Sequence, residues 1–377
     1  MALLLQTLLS ASEKAANIAR VIRSDCRLFH MLIEEKTGES KNKRFVQDFK
    51  TLADVLIQET VKHDIGIKFP SLAGNIKGEE SNTFTNTIGE SICVEVKDTE
   101  AETCILLEQV LGGDSVAALV LAQAVHSKIK LDVLSEEQLV KIQSKDFPVD
   151  ELGIWIDPID GTSEYIQGKE NVASIRNIYP HGLQCCTILI GVYNLTNGIP
   201  VMGVINQPFH SFDVLTKQWS GKEFWGWSTK STSLTSITLQ KKVELNKPVI
   251  VVSSNEAQWL KQQLSDNGYI VLHGSGAGYK LLCVFLGLAQ IYFLSQDSTF
   301  KWDTCAPHSL LSALGGNIVD YHEATSNSNI RQLSYHEVNE GTNGLENWGN
   351  LGGLIAYVDE EMCSKFIKTL KKICPPD

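Results

Sequence analysis

Two carboxylates and a hydroxyl close the apolar segment Leu152-Gly153-Ile154-Trp155-Ile156-Asp157-Pro158-Ile159-Asp160-Gly161-Thr162. Pro158 stiffens the backbone between the acids, so Asp157 and Asp160, three apart around a tight turn, can converge on adjacent cations. The Ile159 carbonyl offers a further oxygen. Hard divalent cations such as Mg2+ take oxygen ligands, and Mg2+ commonly joins one or two carboxylates to the phosphate oxygens of a substrate. In such a site carboxylates hold metal and metal holds phosphate. Two cations about 3.5–4 Å apart clamp the attacking and leaving oxygens of an in-line displacement. A helical stretch over 163–167 would add free backbone N–H groups that favour an anion. An isolated D-x-x-D is most often a solvated turn; its place between a Trp-Ile strand end and a Gly-Thr helix start points to a multi-metal phosphate site.

Three further acidic segments have bland readings when taken singly. Gly78-Glu79-Glu80-Ser81 reads as a solvated loop. Asp54, after Lys50-Thr51-Leu52-Ala53, reads as a helix N-cap or first-turn acid. Asp303, in Phe300-Lys301-Trp302-Asp303, reads as a capping acid for a following helix. Together with Asp157 and Asp160 they make a ligand set. The Gly-rich run His273-Gly274-Ser275-Gly276-Ala277-Gly278-Tyr279-Lys280 follows an apolar strand pattern and precedes a helix expected to begin near Gly278. Such a turn lets a polar ligand approach the backbone closely. The alternative there is a tightly packed turn with a solvated Lys280.

The elements that must position these residues fall into two groups. The pattern predicts helices over 3–33, 55–62 and 100–126, then strands over 153–156, 187–193 and 199–206, the last two joined as a hairpin. Beyond Trp227 strands and helices alternate, with strands at 249–253, 269–272 and 289–294 and helices at 256–265, 279–286 and 305–314. That alternation marks an α/β unit. The expected organisation is an N-terminal α+β domain over 1–227 carrying most metal ligands, and a C-terminal α/β domain over 228–377 completing the site. The polar Ser/Thr run over 228–238 reads as linker or edge strand.

Composition bounds the function. With 377 residues, 43% hydrophobic and 20% charged, the chain is long enough for two core-bearing domains. A formal net charge of −11 argues against nucleic acid and against anionic membrane surfaces as partners. It leaves room for a polyanionic small substrate, because bound cations reverse the local field. The nine cysteines are scattered, with no C-x-x-C pair, so neither a disulfide framework nor a zinc site is indicated and a cytoplasmic setting is expected. The apolar start, broken by Gln6 and Thr7, reads as the beginning of an amphipathic helix rather than a signal peptide. A monomer is the default expectation.

Lys50-Thr51-Leu52-Ala53-Asp54, Gly78-Glu79-Glu80-Ser81, Trp155 to Thr162 and Lys301-Trp302-Asp303 together resemble the signature of the lithium-sensitive, magnesium-dependent phosphomonoesterases. This is the superfamily of inositol monophosphatase and fructose-1,6-bisphosphatase, and the likeness runs over nearly the whole chain. Stretches at 48–58, 181–193, 201–208, 276–280 and 300–303 are similar to the inositol polyphosphate 1-phosphatase branch. Gly161 follows the general pattern where that branch has Ser, and the region 228–248 is shorter. The resemblance implies a layered α-β-α-β-α sandwich with the site between its halves. It also implies hydrolysis of the 1-phosphate of inositol 1,4-bisphosphate and inositol 1,3,4-trisphosphate, two or three Mg2+ ions, and inhibition by Li+. Glu79, Asp157 and the Ile159 carbonyl would hold one cation, Asp157, Asp160 and Asp303 a second, and Glu79 would share a weaker third. Glu80 is a further candidate ligand, with a solvated acid as its alternative.

Thr162, oriented by Asp54, would align the attacking water and, with Glu79, accept its proton. N–H groups of Gly161 and Thr162 would stabilise phosphoryl oxygens. Substrate contacts are implied at Asp160, Gly161, Thr162, Ser254, Gly276, Ala277, Lys280 and Ser298, with Lys280 reaching a second phosphate. Two other functions stay open: the same chemistry on 3′-phosphoadenosine 5′-phosphate or a simpler inositol or sugar phosphate, and a binding protein without turnover. Asp160→Asn is expected to abolish turnover and leave the fold intact.

Overall fold

The computed structural model describes residues 1–24, 33–36, 38, 41–42, 49–85, 89–129, 134–142, 148–229, 232–238, 247–326 and 330–374. Apolar residues recur at helical spacing from Leu4 to Ile22, and helix α1 (Ala2–Ser24) buries that stripe. Of the helix expected over 3–33, residues 25–32 lie outside the described residues, and Ile33 opens a strand instead. This is β1 (Ile33–Glu35), antiparallel to β2 (Phe49–Thr51), which runs directly into α2 (Leu52–Lys68). After β3 (Ile76–Gly78) comes a small hairpin of β4 (Thr83–Thr85) and β5 (Ser91–Cys93). The helix expected over 100–126 is two, α3 (Glu100–Val110) and α4 (Ser115–His126), parted where Gly112 and Gly113 take positive φ. Helix α5 (Glu136–Ile142) follows.

A six-stranded sheet forms the first half. It contains β3, β6 (Leu152–Asp160), β7 (Thr187–Asn194), β8 (Pro200–Asp213), β9 (Gln218–Ser228) and β10 (Ser233–Thr235), in the order 10-9-8-7-6-3. All neighbours are antiparallel except β3 and β6. Helix α6 (Thr162–Gln167) leaves the end of β6. The polar run after Trp227 contributes the edge strand β10, so this sheet continues past residue 227; residues 230–231 and 239–246 of the shortened region are outside the described ones.

The second sheet has five strands in the order 12-11-13-15-14: β11 (Val249–Val252), β12 (Ile270–His273), β13 (Ile291–Leu294), β14 (Asn317–Asp320) and β15 (Leu354–Tyr357). Its helices are α7 (Gln258–Asp266), α8 (Ala277–Phe285), α9 (Lys301–Ala313), α10 (Tyr321–Ser326) and α11 (Glu360–Ile373). Three apolar cores separate five layers. Leu8, Leu56 and Ile154 belong to the core that joins α1 and α2 to the first sheet. Leu189, Leu281 and Leu310 belong to the one that encloses α8 and α9 between the sheets, and Val252, Leu264 and Phe366 to the one that covers the far face of the second sheet with α7 and α11. The architecture is the expected α-β-α-β-α sandwich.

The central layer depends on a row of glycines. Gly191, Gly203 and Gly226 lie side by side on β7, β8 and β9, paired directly across the sheet. A Cβ on Gly203 would stand 2.4 Å from the Ala306 carbonyl oxygen, and one on Gly226 would stand 2.6 Å from the Leu310 Cα. Helix α9 therefore sits with its backbone against the sheet, closer than any side chain would permit.

On the opposite face, Ser12 of α1 donates to Glu223 Oε1 of β9 at 2.6 Å. Burial pushes the Glu223 carboxyl up from 4.5 to about 7. The fold favours the protonated form, so the native chain binds this proton more tightly than the unfolded chain. Its contribution to stability is full below the ordinary value and is lost as pH rises through the raised one. Glu223→Gln is expected to remove that slope and to leave the protein more stable than wild type at pH 8, by at most about 3 kcal/mol. Urea unfolding of both proteins at pH 5 and pH 8 measures it; two parallel pH profiles would contradict the assignment.

Candidate active site

Strand β6 carries Asp157 and Asp160. The sequence places them in a turn, yet the strand continues through Asp160, with its register against β7 shifted between the two residues. In a regular strand residues three apart face opposite sides; the irregularity around Pro158 turns both acids toward one end of the sheet. Asp303 arrives from the other half as the third residue of α9, where its Oδ2 accepts the Phe300 N–H at 2.6 Å. One carboxylate oxygen from each of Asp157, Asp160 and Asp303 lies within 4.8 Å of the others. Burial, then the charges of neighbouring acids, push Asp157 and Asp303 well above the usual carboxylate range. Asp157 Oδ1 is buried with no hydrogen-bond partner among the described residues. An oxygen-only cluster holding an unused buried acceptor fits a hard divalent cation, which would supply both the missing partner and the missing charge.

Asp160 has a second task. Its carboxylate accepts N–H groups of Ala277 at 3.0 Å and Gly278 at 2.9 Å, and the Thr187 hydroxyl at 3.1 Å, so it caps α8 from across the layers. Burial raises its pKa, opposed by the nearby Lys280 charge and by these donors. Gly276 has φ +73°, and a Cβ there would lie 2.6 Å from Asp160 Oδ2, so only glycine serves. Lys280 is buried and donates from Nζ to the carbonyls of Gly274 at 3.1 Å and Gly276 at 2.5 Å. It is thus neither a solvated lysine nor a free one: its ammonium braces the turn.

The remaining acids are delivered by β2, α2 and the segment after β3. Asp54 is the third residue of α2 and accepts both the N–H and the hydroxyl of Thr51, at 2.6 and 2.7 Å. The capping role read from sequence is real, and burial still pushes Asp54 up to about 7. Glu79 is tied to β6 by its N–H on the Ile156 carbonyl. Gln58 of α2 clamps the Glu80 backbone at both its N–H and its carbonyl. Both glutamates pair with Lys36, whose Nζ is 2.6 Å from Glu79 Oε1 and 2.5 Å from Glu80 Oε1. Burial, then Glu79, raises Glu80 to about 8.

These groups meet at a cleft of about 380 Å³ between the halves, within the range of small-ligand sites. Glu79, Asp157, Ile159, Asp160, Gly161 and Thr162 line it from one side, and Ser254, Gly276, Ala277, Lys280, Ser298 and Asp303 from the other. Asp54 and Glu80 are buried and do not line it. Among the described hydrogen bonds Thr162 Oγ1 donates to the Ile159 carbonyl at 3.0 Å, and none joins Thr162 to Asp54. Three residues at the site carry no sequence signal of their own. Lys36 and Thr187 are an ordinary lysine and threonine until the fold brings them to acids. Glu164, in the first turn of α6, would be read as a helix-dipole acid, whereas its Oε2 holds the Gly182 N–H at 2.6 Å.

The model of the inositol monophosphatase family matches residues 76–362 of this chain. The chain belongs to that family. Inositol polyphosphate 1-phosphatase from Mus musculus is 47% identical, over 97% of this chain and 96% of its own length. The Homo sapiens protein of the same description is 44% identical, over 99% and 98%. Among solved structures of the inositol monophosphatase fold, the extragenic suppressor protein suhB from Bartonella henselae superposes with a TM-score of 0.54 at 14% identity, covering 98% of this chain and 99% of that one. That likeness concerns the fold alone, and it agrees with the five-layered sandwich. No described helix is long and apolar enough to cross a membrane.

Proposed function

We propose that this protein is a Mg2+-dependent phosphomonoesterase that removes the 1-phosphate from inositol 1,4-bisphosphate and inositol 1,3,4-trisphosphate, and that Li+ inhibits it. The observation that carries the reading is the full-length identity to the inositol polyphosphate 1-phosphatases. It is supported by the convergence of two buried acids, Asp157 and Asp160, with the half-buried Asp303, an oxygen-only set that fits a cation.

Glu79, Asp157, Asp160 and Asp303, with the Ile159 carbonyl, are the proposed cation ligands. When bound, the cations supply the charge that draws in the phosphoryl group and activates water. The chain supplies the rest. Gly161 and Thr162 line the cleft, and their N–H groups are proposed to hold phosphoryl oxygens. Glu79 and Thr162 are proposed to take the proton of the attacking water. Asp54 is buried, and the charge of Glu79 adds to the burial that raises its pKa. Ser254, Gly276, Ala277 and Ser298 form the wall proposed to receive the inositol ring. For Lys280, contact with a second phosphate is proposed to come through exchange of the Gly274 or Gly276 carbonyl. A monomer is proposed as the working unit. Eight described cysteines are free thiols, which suits the cytoplasm proposed as its setting.

The test is phosphate release from inositol 1,4-bisphosphate and from 3′-phosphoadenosine 5′-phosphate side by side, with Mg2+ and then with added Li+. Preference for the inositol and loss of activity with Li+ are expected. Preference for the nucleotide would keep the metal chemistry and overturn the substrate.

A further inference from the structure

Five described carboxylates line the cleft, and four of them, Glu79, Asp157, Asp160 and Asp303, belong to the proposed cation set. The fifth is Glu164, which the oxygen cluster of Asp157, Asp160 and Asp303 does not include. Glu164 is the third residue of α6 and is buried, with its Oε2 fixed by the Gly182 N–H at 2.6 Å. Gly182 has φ +97°, and a Cβ there would lie 2.9 Å from the Lys169 carbonyl oxygen, so the carboxylate meets a backbone that no side chain could cover. The same segment then passes under both walls of the cleft. A Cβ on Gly161 would lie 3.5 Å, and one on Gly276 3.0 Å, from the Cys185 carbonyl oxygen. Burial, then the Glu164 charge, pushes the Cys185 thiol up, which sets the carboxylate beside that junction. Among the described residues no donor reaches Glu164 Oε1 and no basic group pairs with Glu164, and that oxygen is open to solvent.

An ionised carboxylate only accepts hydrogen bonds. In a cleft for a polyanion it repels each phosphate brought near it, whereas a polyol brings hydroxyl donors that satisfy it. We propose that Glu164 is a specificity-determining residue: its free oxygen accepts one hydroxyl of the inositol ring, and its charge excludes substrates that carry a phosphate at that ring position. The Gly182 N–H holds one oxygen so that the other keeps its aim. The cleft is thereby matched to a partly phosphorylated polyol. The inference rests on the inositol phosphate reading given above, and the experiment separates the two.

Release of the 1-phosphate by the full-length protein is measured for inositol 1,4-bisphosphate and for the trisphosphates that add one phosphate at position 2, 3, 5 or 6, with wild type, Glu164→Gln and Glu164→Asp. Wild type is expected to reject a phosphate at one position other than 3 by at least about a hundredfold in kcat/KM. Glu164→Gln still offers an oxygen to the Gly182 N–H and adds a donor that a phosphate accepts. It is expected to relieve the rejection by at least about tenfold at that position alone. Glu164→Asp keeps the charge and is expected to keep the rejection. A merely structural glutamate would change kcat/KM for all the substrates by one common factor, and ratios unchanged in Glu164→Gln overturn the proposal. No release from any inositol phosphate by wild type overturns the substrate reading, and this inference with it. Mn2+ binding to Glu164→Gln is expected to match wild type; weaker binding would make Glu164 a cation ligand and refute its role toward the ring. A further measurement needs no variant: the bisphosphate lacking the hydroxyl at the rejecting position is expected to show a KM at least about tenfold higher, and an unchanged KM refutes the contact.

Discussion

Asp157→Asn is expected to abolish phosphate release and, in the presence of a chelator, to raise the melting temperature. Both effects come from one position. Asp157 is fully buried between β3 and β7, with one oxygen unpartnered, and burial followed by the charges of Glu79, Asp160 and Asp303 drives its pKa far up. An acid whose native pKa is raised destabilises the fold progressively as pH rises above its ordinary value, because the unfolded chain gives up the proton more readily. Asparagine keeps the shape and removes the charge, so the variant gains on wild type as pH rises and the two converge near pH 4. The same substitution takes away a proposed cation ligand, for which a rate loss of at least about a thousandfold is expected. Phosphate assays with Mg2+ and thermal melts in chelator at several pH values test the pair. A variant that loses activity and also melts lower would show that the carboxylate stabilises the fold rather than straining it. Asp160→Asn differs in this respect. The sequence expectation was loss of turnover in an intact fold, whereas Asp160 caps α8, and an amide there would set a donor against the N–H groups of Ala277 and Gly278.

Gly203→Ala should cost both stability and activity, although it lies on the sheet and not in the cleft. Its Cβ would meet the Ala306 carbonyl oxygen at 2.4 Å and the Ala306 Cα at 2.9 Å. Neither is a flexible side-chain end, so α9 must move. Overpacking of this kind costs about 1–3 kcal/mol. Asp303 lies three residues before Ala306 on that helix, and a shift of about 1 Å in a reacting group can cost about a hundredfold in rate. The expected result is therefore a lower urea midpoint, weaker Mn2+ binding and a large fall in phosphate release. Gly74→Ala, where a Cβ would meet no atom within 4 Å, serves as the control. Wild-type cation affinity in Gly203→Ala would show that the glycine row does not position Asp303.

The two effects bear on what a single sequence can disclose. Local physics was legible in it. The acid-Pro-x-acid run at a strand end, the capping acids Asp54 and Asp303, and the strand–glycine–helix turn before Lys280 are all written within a few residues, and each formed as spacing and propensity require. The alternation beyond Trp227 likewise announced an α/β half. Element ends were less legible: α9 starts four residues earlier than the pattern suggested, at Lys301, and β6 runs on through Pro158 because a register shift accommodates it. Strands β14 and β15 were missed, and so was helix α11, although Cys363, Phe366, Ile367 and Leu370 recur there at helical spacing.

What the residues do to one another was decided by tertiary structure, because the decisive contacts join positions far apart in the chain. Asp160 meets the start of α8 across 117 residues, and Lys36 meets Glu79 across 43. A carboxylate's protonation, and the strength with which it would hold a cation, depend on how deeply it is buried and which charge stands beside it. The sequence by itself determined which oxygen ligands exist, on which local elements, and in which family. Only the packed layers decided that three aspartates meet at one corner of the cleft, that Lys280 braces a turn, and that Glu79 already carries a lysine, since burial and long-range neighbours have no local signature.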